Sequence, residues 1–212
     1  MENKKIPNKI IITKIVIMII IGIVLLFLGF KAYEKYVYFY KPYIYINDRA
    51  VSKQEYDYYY HSYYNNYLSS YAFALSYMEL DLNQDIEPQK YDENRTYGEY
   101  FADCAVDQLI KITALNDDGM KNGFEYDYDE EYSEYLSKIE ESCKKAKVPL
   151  NNYFKKFYGK YATEQNTGRY LKYGFYATAY YDYLCKTMNA DESDSKAFDY
   201  VSELKKAYEI RY

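Results

Sequence analysis

A long apolar run near the N-terminus is the strongest hydrophobic pattern in the chain. It covers residues 10–30, IIITKIVIMIIIGIVLLFLGF, and its only charged residue is Lys14. About 20 apolar residues are enough for a helix to cross the hydrocarbon core of a bilayer, and a lysine this close to the end can extend its ammonium group to the interface. The pattern predicts a transmembrane anchor, with a basic tail at residues 1–9 and a stalk at residues 31–42.

The charges that flank this run predict its orientation. Three lysines precede it, at positions 4, 5 and 9. Basic residues stay on the cytoplasmic side, so we expect a cytoplasmic N-terminus, a single pass through the cell membrane and an extracytoplasmic domain. Phe30 and Lys31 do not suit a signal-peptidase site, which requires small residues, and an uncleaved anchor is therefore expected. Cleavage near Ala32 is the alternative.

Beyond the stalk, residues 43–212 place apolar side chains at helical spacing between polar stretches. This predicts a mainly α-helical domain of about five to six helices. Capping boxes mark two helix starts, Ser52 with Glu55 and Thr96 with Glu99. The first of these helices is expected to reach about residue 80 and the second to end near Gly119, with a polar loop at residues 81–95 between them.

The remaining elements follow from the same signals. The predicted helices are residues 128–147 capped by Asp127 or Asp129, residues 150–158, residues 163–188 capped by Thr163, and a last helix from Ser193 or Asp194 with Phe198, Val201 and Leu204 on one face. Residues 43–46 and 208–212 alternate like strands, and residues 47–49 are typical of a turn. A lone strand leaves its backbone groups unpaired, so the two terminal strands are expected to pair in a small two-stranded sheet.

Tyrosine dominates the composition, with 34 residues among 212 and no tryptophan. On the helix after Ser52, one face carries a stripe that we expect to pack inward, made of Tyr56, Tyr60, Tyr63 and Tyr67. On the helix after Thr163, the matching stripe is Tyr173, Tyr176, Tyr180 and Tyr183. Asparagine, isoleucine and lysine are also common, and all four residue types have A/T-rich codons. Compositional drift therefore stays open as an explanation for part of the tyrosine excess.

Both helices carry further aromatic rings that a single core face cannot accept. These rings are Tyr58, Tyr59 and Tyr64 on the earlier helix, and Tyr170, Phe175 and Tyr181 on the later one. A tyrosine offers an apolar ring for contact and a hydroxyl that keeps its water. A surface of such rings binds varied apolar peptides, and the six residues are our candidate peptide-binding surface.

The charged and reactive residues point away from catalysis. The net charge of −5 and the absence of a basic stripe outside the N-terminus argue against a nucleic-acid partner. His61 is the only histidine, and the sequence contains no nucleophile motif with which it could form a catalytic pair. We therefore expect no enzyme activity, no catalytic residue and no cofactor. Acidic residues from Asp81 to Asp92 fall at calcium-loop offsets, but Ile86 stands where such a loop needs glycine, and no metal is expected. Cys104, Cys143 and Cys185 are expected to be small buried residues on helices.

Several pieces of the chain together resemble a known family. YINDRAVSKQEYDYYY, QKYDENRTYGEYF and PLNNYFKKFYGKYATEQNTGRYL occur in this order, and FDYVSELKKAYEIRY ends the chain. Their order and separations resemble the SurA N-terminal and PrsA-like extracytoplasmic chaperones, in the membrane-anchored form of Gram-positive bacteria. The resemblance implies a helical domain that holds unfolded or exported polypeptides. It also implies that the family's parvulin prolyl isomerase domain is absent, because only a few residues separate Met188 from the last helix.

A second interpretation uses the same fold differently. The domain would be a structural or adaptor module that binds one dedicated envelope partner, or a second copy of itself as a homodimer. A holder of unfolded chains binds many clients weakly, whereas an adaptor forms one saturable complex. The number of partners therefore separates the two hypotheses.

Overall fold

The computed structural model describes residues 8–70, 80–81, 83–188 and 193–212. The chain forms two compact units, residues 1–41 and residues 42–212. The first unit contains helix α1, Asn8–Phe39. Over Ile12–Phe39 this helix is long and apolar enough to cross a membrane, and its large apolar side chains are exposed. The predicted stalk is therefore helical as far as Phe39, because the apolar helix continues through it without a break.

The second unit begins with a small antiparallel sheet. Strand β1, Pro42–Ile46, pairs with β2, Arg49–Ser52, on one side and with β3, Ile210–Arg211, on the other. The predicted pairing of the two terminal strands is confirmed, with Ile46 opposite Ile210. The sheet has three strands instead of two because the chain turns back at Asn47, whose φ of 51° lies in the left-handed region that asparagine tolerates better than most residues.

Six helices follow in the described part of this unit, which confirms a mainly α-helical domain. They are α2, Lys53–Ser70; α3, Tyr97–Lys121; α4, Asp129–Ala146; α5, Leu150–Tyr158; α6, Glu164–Thr187; and α7, Ser193–Lys205. Most bounds agree with the sequence prediction to within two residues. The predicted extension of the first of these helices to about residue 80 falls mainly on residues 71–79, which lie outside the described residues.

The capping residues explain where α3 and α6 begin. The Thr96 hydroxyl accepts a hydrogen bond from the Glu99 amide at 3.2 Å, and the Glu99 carboxylate accepts one from the Thr96 amide at 2.7 Å. Thr163 forms the same reciprocal pair with Asn166. At α2, Ser52 accepts from the Glu55 amide as predicted. The Glu55 carboxylate, however, pairs with the Arg49 guanidinium, because β2 brings that cation beside it.

Two sequence expectations about the later helices are wrong. Helix α4 has Tyr128 at its N-cap without a side-chain cap bond, and the Asp127 carboxylate instead accepts from the Asp129 amide in a local turn. Helix α7 turns Ala197 and Val201 into the core, while Phe198 is 64% exposed. Ala197 and Phe198 are consecutive residues of the helix and therefore point in different directions. The small alanine is the one that fits against α3 and α6, so Phe198 points away from the core.

The core is built around α2, which packs against α3, α5 and α6. Tyr56 and Tyr67 of its predicted inward stripe are buried, but so are Tyr58 and Tyr59, at 8% and 4% exposure. The expectation that these last two rings stay outside the core is wrong, because a helix with neighbours on several sides buries more than one face. Tyr64 is half-buried.

Candidate functional site

A cleft opens between α2, α3 and α6, with a volume of about 480 Å³. Ligand pockets in proteins commonly have volumes of about 300–1,000 Å³. Its lining is Tyr58, Tyr59, Ser62, Tyr63 and Asn66 from α2; Gln108, Lys111, Ile112 and Leu115 from α3; and Leu171, Gly174, Phe175, Ala177, Thr178 and Tyr181 from α6. The lining combines five aromatic rings and aliphatic side chains with isolated polar groups, so it suits apolar guests.

The α2 wall of the cleft is held in place by ring packing. Tyr58 stacks on Tyr158 of α5 with ring centroids 5.0 Å apart, and its ring lies 5.5 Å from that of Tyr170. Tyr58 and Tyr59 meet edge to face at 4.9 Å. Offset and edge-to-face aromatic pairs each contribute about 0.5–1.5 kcal/mol beyond area burial. These contacts therefore fix the α2 wall before any guest arrives.

Two hydroxyls of this wall, those of Tyr59 and Ser62, are buried and have no hydrogen-bond partner among the described residues. Burial raises the pKa of Tyr59 well above its usual value, with the neighbouring Tyr58 and Glu55 adding to the effect. An unsatisfied buried hydroxyl costs about 1–3 kcal/mol, so a guest or a water that reaches it would recover part of that cost.

The α6 wall contains a glycine. Gly174 lies inside the helix, and apart from its chain neighbours and the adjacent helix backbone, a β-carbon built on it meets no atom within 4 Å. Glycine inside a helix costs about 1 kcal/mol relative to alanine, so the position gives up stability while it leaves space in the cleft. Beside it, Phe175 is supported from behind by the ring of Tyr135, at 5.8 Å and close to perpendicular.

The α3 wall supplies Lys111, which is the charged residue of the lining. Its Nζ atom lies 5.1 Å from the ring centroid of Tyr181 on the opposite wall. A cation over the face of an aromatic ring is attracted by about 0.5–1 kcal/mol at an exposed site. Lys111 and Tyr181 thus face each other across the cleft.

The six residues of the sequence-predicted peptide surface divide between two places. Tyr58, Tyr59, Phe175 and Tyr181 line the cleft. The ring of Tyr64 packs edge to face on Phe101 at 5.2 Å, in a smaller hydrophobic cluster formed by Tyr67, Ile86, Tyr97 and Phe101. Tyr170 is buried, and its hydroxyl lies 3.3 Å from the side-chain oxygen of Gln54. The structure therefore brings four of the six together and places two elsewhere.

Sequence reasoning missed the whole α3 wall. Gln108, Lys111, Ile112 and Leu115 lie at i, i+3, i+4 and i+7, which predicts one shared helix face but not what that face meets. The glycine at position 174 was a usable signal, because a glycine inside a helical pattern often has a packing or functional reason. Four residues of α2 and α6 were found because aromatic excess is visible without knowledge of the neighbours.

The other reactive side chains are one histidine and three cysteines. His61 is half-buried on α2, where burial lowers its pKa, and it contacts the Tyr60 ring edge to face at 5.4 Å. Cys143 is buried, Cys104 and Cys185 are half-buried, and all three are unpaired thiols. Within the described residues, no three His, Cys, Asp or Glu side chains lie together as a metal site would require.

Fold and cleft together define a mainly α-helical, tyrosine-rich protein with an aromatic cleft and an N-terminal helix able to serve as a membrane span or signal anchor. Comparison of the chain with models of known families, with curated proteins and with solved structures found no match.

Proposed function

We propose that this protein is a membrane-anchored, extracytoplasmic, chaperone-like protein that holds unfolded or exported polypeptides. The guest would bind in the cleft between α2, α3 and α6, and the protein would have no isomerase activity. The observation that carries the proposal is the lining of that cleft, with five aromatic rings around a volume of about 480 Å³. Tyrosine rings provide large apolar contact at a low cost in side-chain entropy.

The size of the cleft suits a short segment of an unfolded chain. About 480 Å³ admits a few apolar side chains and excludes a folded domain. The polar lining groups, such as Asn66 and Gln108, offer hydrogen bonds to a guest backbone without demanding one sequence. Such a site supports weak, reversible binding of many segments, as a holding function requires.

The proposed location rests on α1 and on the charges before it. A helix that can cross a membrane, preceded by lysines, supports an N-terminus in the cytoplasm and a helical unit outside. There the cleft would be held close to the point where exported chains emerge. The resemblance to SurA N-terminal and PrsA-like chaperones supports the same function through the order of its motifs.

Aggregation assays with a cleft-filling variant test the proposal. The full chain, placed in phosphatidylcholine nanodiscs to keep detergent out of the cleft, is mixed with several unrelated denatured proteins, and light scattering is followed. We expect it to slow aggregation and Gly174→Leu to lose most of this effect, because an isobutyl group enters the space where no atom now lies. Leucine is also a better helix former than glycine, so the fold is not weakened.

The matched control is Thr187→Leu on the same helix. Thr187 is exposed, lies outside the cleft lining and bonds only to carbonyls of its own helix among the described residues. The Thr187→Leu variant should suppress aggregation as strongly as the wild-type chain does. If the wild-type chain leaves the aggregation of every client unchanged, the proposal fails. One saturable complex with a single envelope protein, or with a second copy, would favour the adaptor function.

A further inference from the structure

The cleft contains one uncompensated positive charge. Lys111 forms no ion pair and no hydrogen bond with another described residue, and its ammonium group lies over the ring of Tyr181. The acidic residue one turn earlier on α3, Asp107, has the spacing of an i, i+4 partner. Its carboxylate is instead bonded to Lys205 of α7. The packing of α7 on α3 thus leaves Lys111 free to meet a guest.

The position of this lysine distinguishes it from the other cations of the same unit. Some of these are paired, such as Lys53 with Asp57, and others, such as Lys121, are exposed at the surface, whereas Lys111 is half-buried in the lining of the cleft. The whole chain carries a net charge of −5 even though its first residues are basic. In an acidic protein with many carboxylates available, a half-buried lysine beside five aromatic rings is placed to receive a carboxylate from outside.

We propose that the cleft selects peptide segments in which a carboxylate lies next to an apolar or aromatic side chain, with Lys111 pairing the carboxylate while the rings of Tyr58, Tyr59 and Phe175 take the apolar group. This deepens the proposed function and rests on it. The carboxylate comes from Asp or Glu, or from the C-terminus of a chain, since both present the same group.

The net negative charge of the chain repels a carboxylate peptide at long range and so opposes this preference. The distances between the charges decide whether this repulsion or the pairing with Lys111 is stronger. Charges separated by more than the Debye length, about 8 Å at physiological ionic strength, are largely screened. A carboxylate in contact with Lys111 lies well inside that length, so its attraction to Lys111 is screened far less than its repulsion from acidic residues farther away. A partly exposed pair of this kind contributes up to about 1 kcal/mol, which corresponds to roughly five-fold in affinity.

Matched peptides measure the preference. The probe is a short amidated peptide, Gly-Ser-Phe-Ala-Glu-Ser-Gly, with an uncharged N-terminal fluorophore, and its neutral analogue has Gln in place of Glu. A third peptide ends in Phe-Ala with a free carboxylate and is compared with its own amide, which separates a terminal carboxylate from a side-chain one. Anisotropy is measured with the full chain in phosphatidylcholine nanodiscs at about 0.15 M salt.

We expect the wild-type chain to bind at least one carboxylate peptide about two- to five-fold more tightly than its neutral analogue. Lys111→Gln should abolish the difference, Lys111→Arg should keep it and Lys111→Glu should reverse it. The control is Lys121→Gln, which removes the same charge from the exposed end of α3 and should leave the preference intact.

The outcomes distinguish failure of the carboxylate preference from failure of the proposed peptide-holding function. Equal affinity for charged and neutral peptides, with both lost in Gly174→Leu, would overturn the carboxylate preference and leave the proposed cleft function standing. A preference that survives in Lys111→Gln would overturn it as well. Absence of binding for every peptide would overturn both.

Discussion

At the scale of single residues, two glycines inside helices illustrate opposite reasons for the same residue type. A β-carbon on Gly174 would meet open space in the cleft. A β-carbon on Gly119 of α3 would lie 2.9 Å from the Tyr176 hydroxyl and 3.1 Å from Cγ of Tyr180, which is fully buried. Gly119 is therefore needed for close packing of α3 on α6, while Gly174 keeps a space empty.

Alanine substitutions at the two positions should change stability in opposite directions. Gly174→Ala should stabilise the fold by about 1 kcal/mol, because alanine is the better helix former and nothing obstructs its methyl group. Gly119→Ala should destabilise it by about 1–3 kcal/mol, because the Tyr180 ring begins too close to its own backbone to move away. Thermal unfolding of the full chain in nanodiscs, followed by circular dichroism, measures both. A loss of stability in Gly174→Ala would contradict the open space described for that position.

At the scale of elements, Asn47 joins the two ends of the helical unit. Its amide donates to the Glu209 carbonyl at 2.8 Å, and its side-chain oxygen accepts from the Glu209 amide at 2.8 Å. Its side-chain nitrogen donates to the Ala207 carbonyl at 3.2 Å. The side chain thus continues the hydrogen bonding of β3 beyond its two strand residues, which explains how so short a strand keeps its register on β1.

Substitution of Asn47 should separate the contribution of its conformation from that of its side chain. Asn47→Gly tolerates the positive φ but loses two hydrogen bonds, for an expected cost of about 1 kcal/mol. Asn47→Ala also brings the strain of a left-handed backbone, and we expect about 2 kcal/mol. Thermal melting gives the order, and faster amide exchange across β3 should accompany both changes. Equal melting temperatures for the two variants would show that the backbone conformation contributes little.

At the scale of the whole molecule, buried tyrosines couple the fold to alkaline pH. Burial is the largest cause that raises the pKa of Tyr58, Tyr59 and Tyr158 above the ordinary value. These hydroxyls stay neutral in the folded state and ionise near pH 10 in the unfolded chain. Their contribution to stability is therefore complete below about pH 10 and is lost as the pH rises toward their folded pKa values.

Alkaline titration should therefore be cooperative. Each such tyrosine removes about 1.4 kcal/mol of stability per pH unit above 10, so three remove about 4 kcal/mol per unit, and unfolding should expose them together. Circular dichroism, and the part of the phenolate absorbance that belongs to these three rings, should change in one step between about pH 11 and 12; that part is obtained by comparing the wild-type chain with its Tyr58→Phe, Tyr59→Phe and Tyr158→Phe variants. Tyr59→Phe should shift this step upward, since it removes a hydroxyl that has no partner among the described residues. Ionisation of these three rings without unfolding would contradict their burial.

The sequence by itself determined the local elements, because their signals lie within a few residues of one another. The apolar run predicted an N-terminal helix able to cross a membrane, and the capping residues Thr96 and Thr163 set the starts of α3 and α6. Pro149 and Gly159 bounded α5 at Leu150–Tyr158. Backbone sterics and hydrogen bonds over a single turn decide such features, so they are readable without knowledge of the fold.

Only the tertiary structure decided which faces meet. Tyr58 and Tyr59 became buried because α2 acquired neighbours on several sides, and Phe198 remained exposed because Ala197 fitted the core. The sequence pattern could not reveal that α3 forms one wall of the cleft. Nor could it reveal that Lys111 lacks an ion pair because Asp107 pairs with Lys205 of α7. Helical periodicity marks the residues that share a face. Which element packs on that face, and which charged side chains stay unpaired, depends on contacts between segments far apart in sequence.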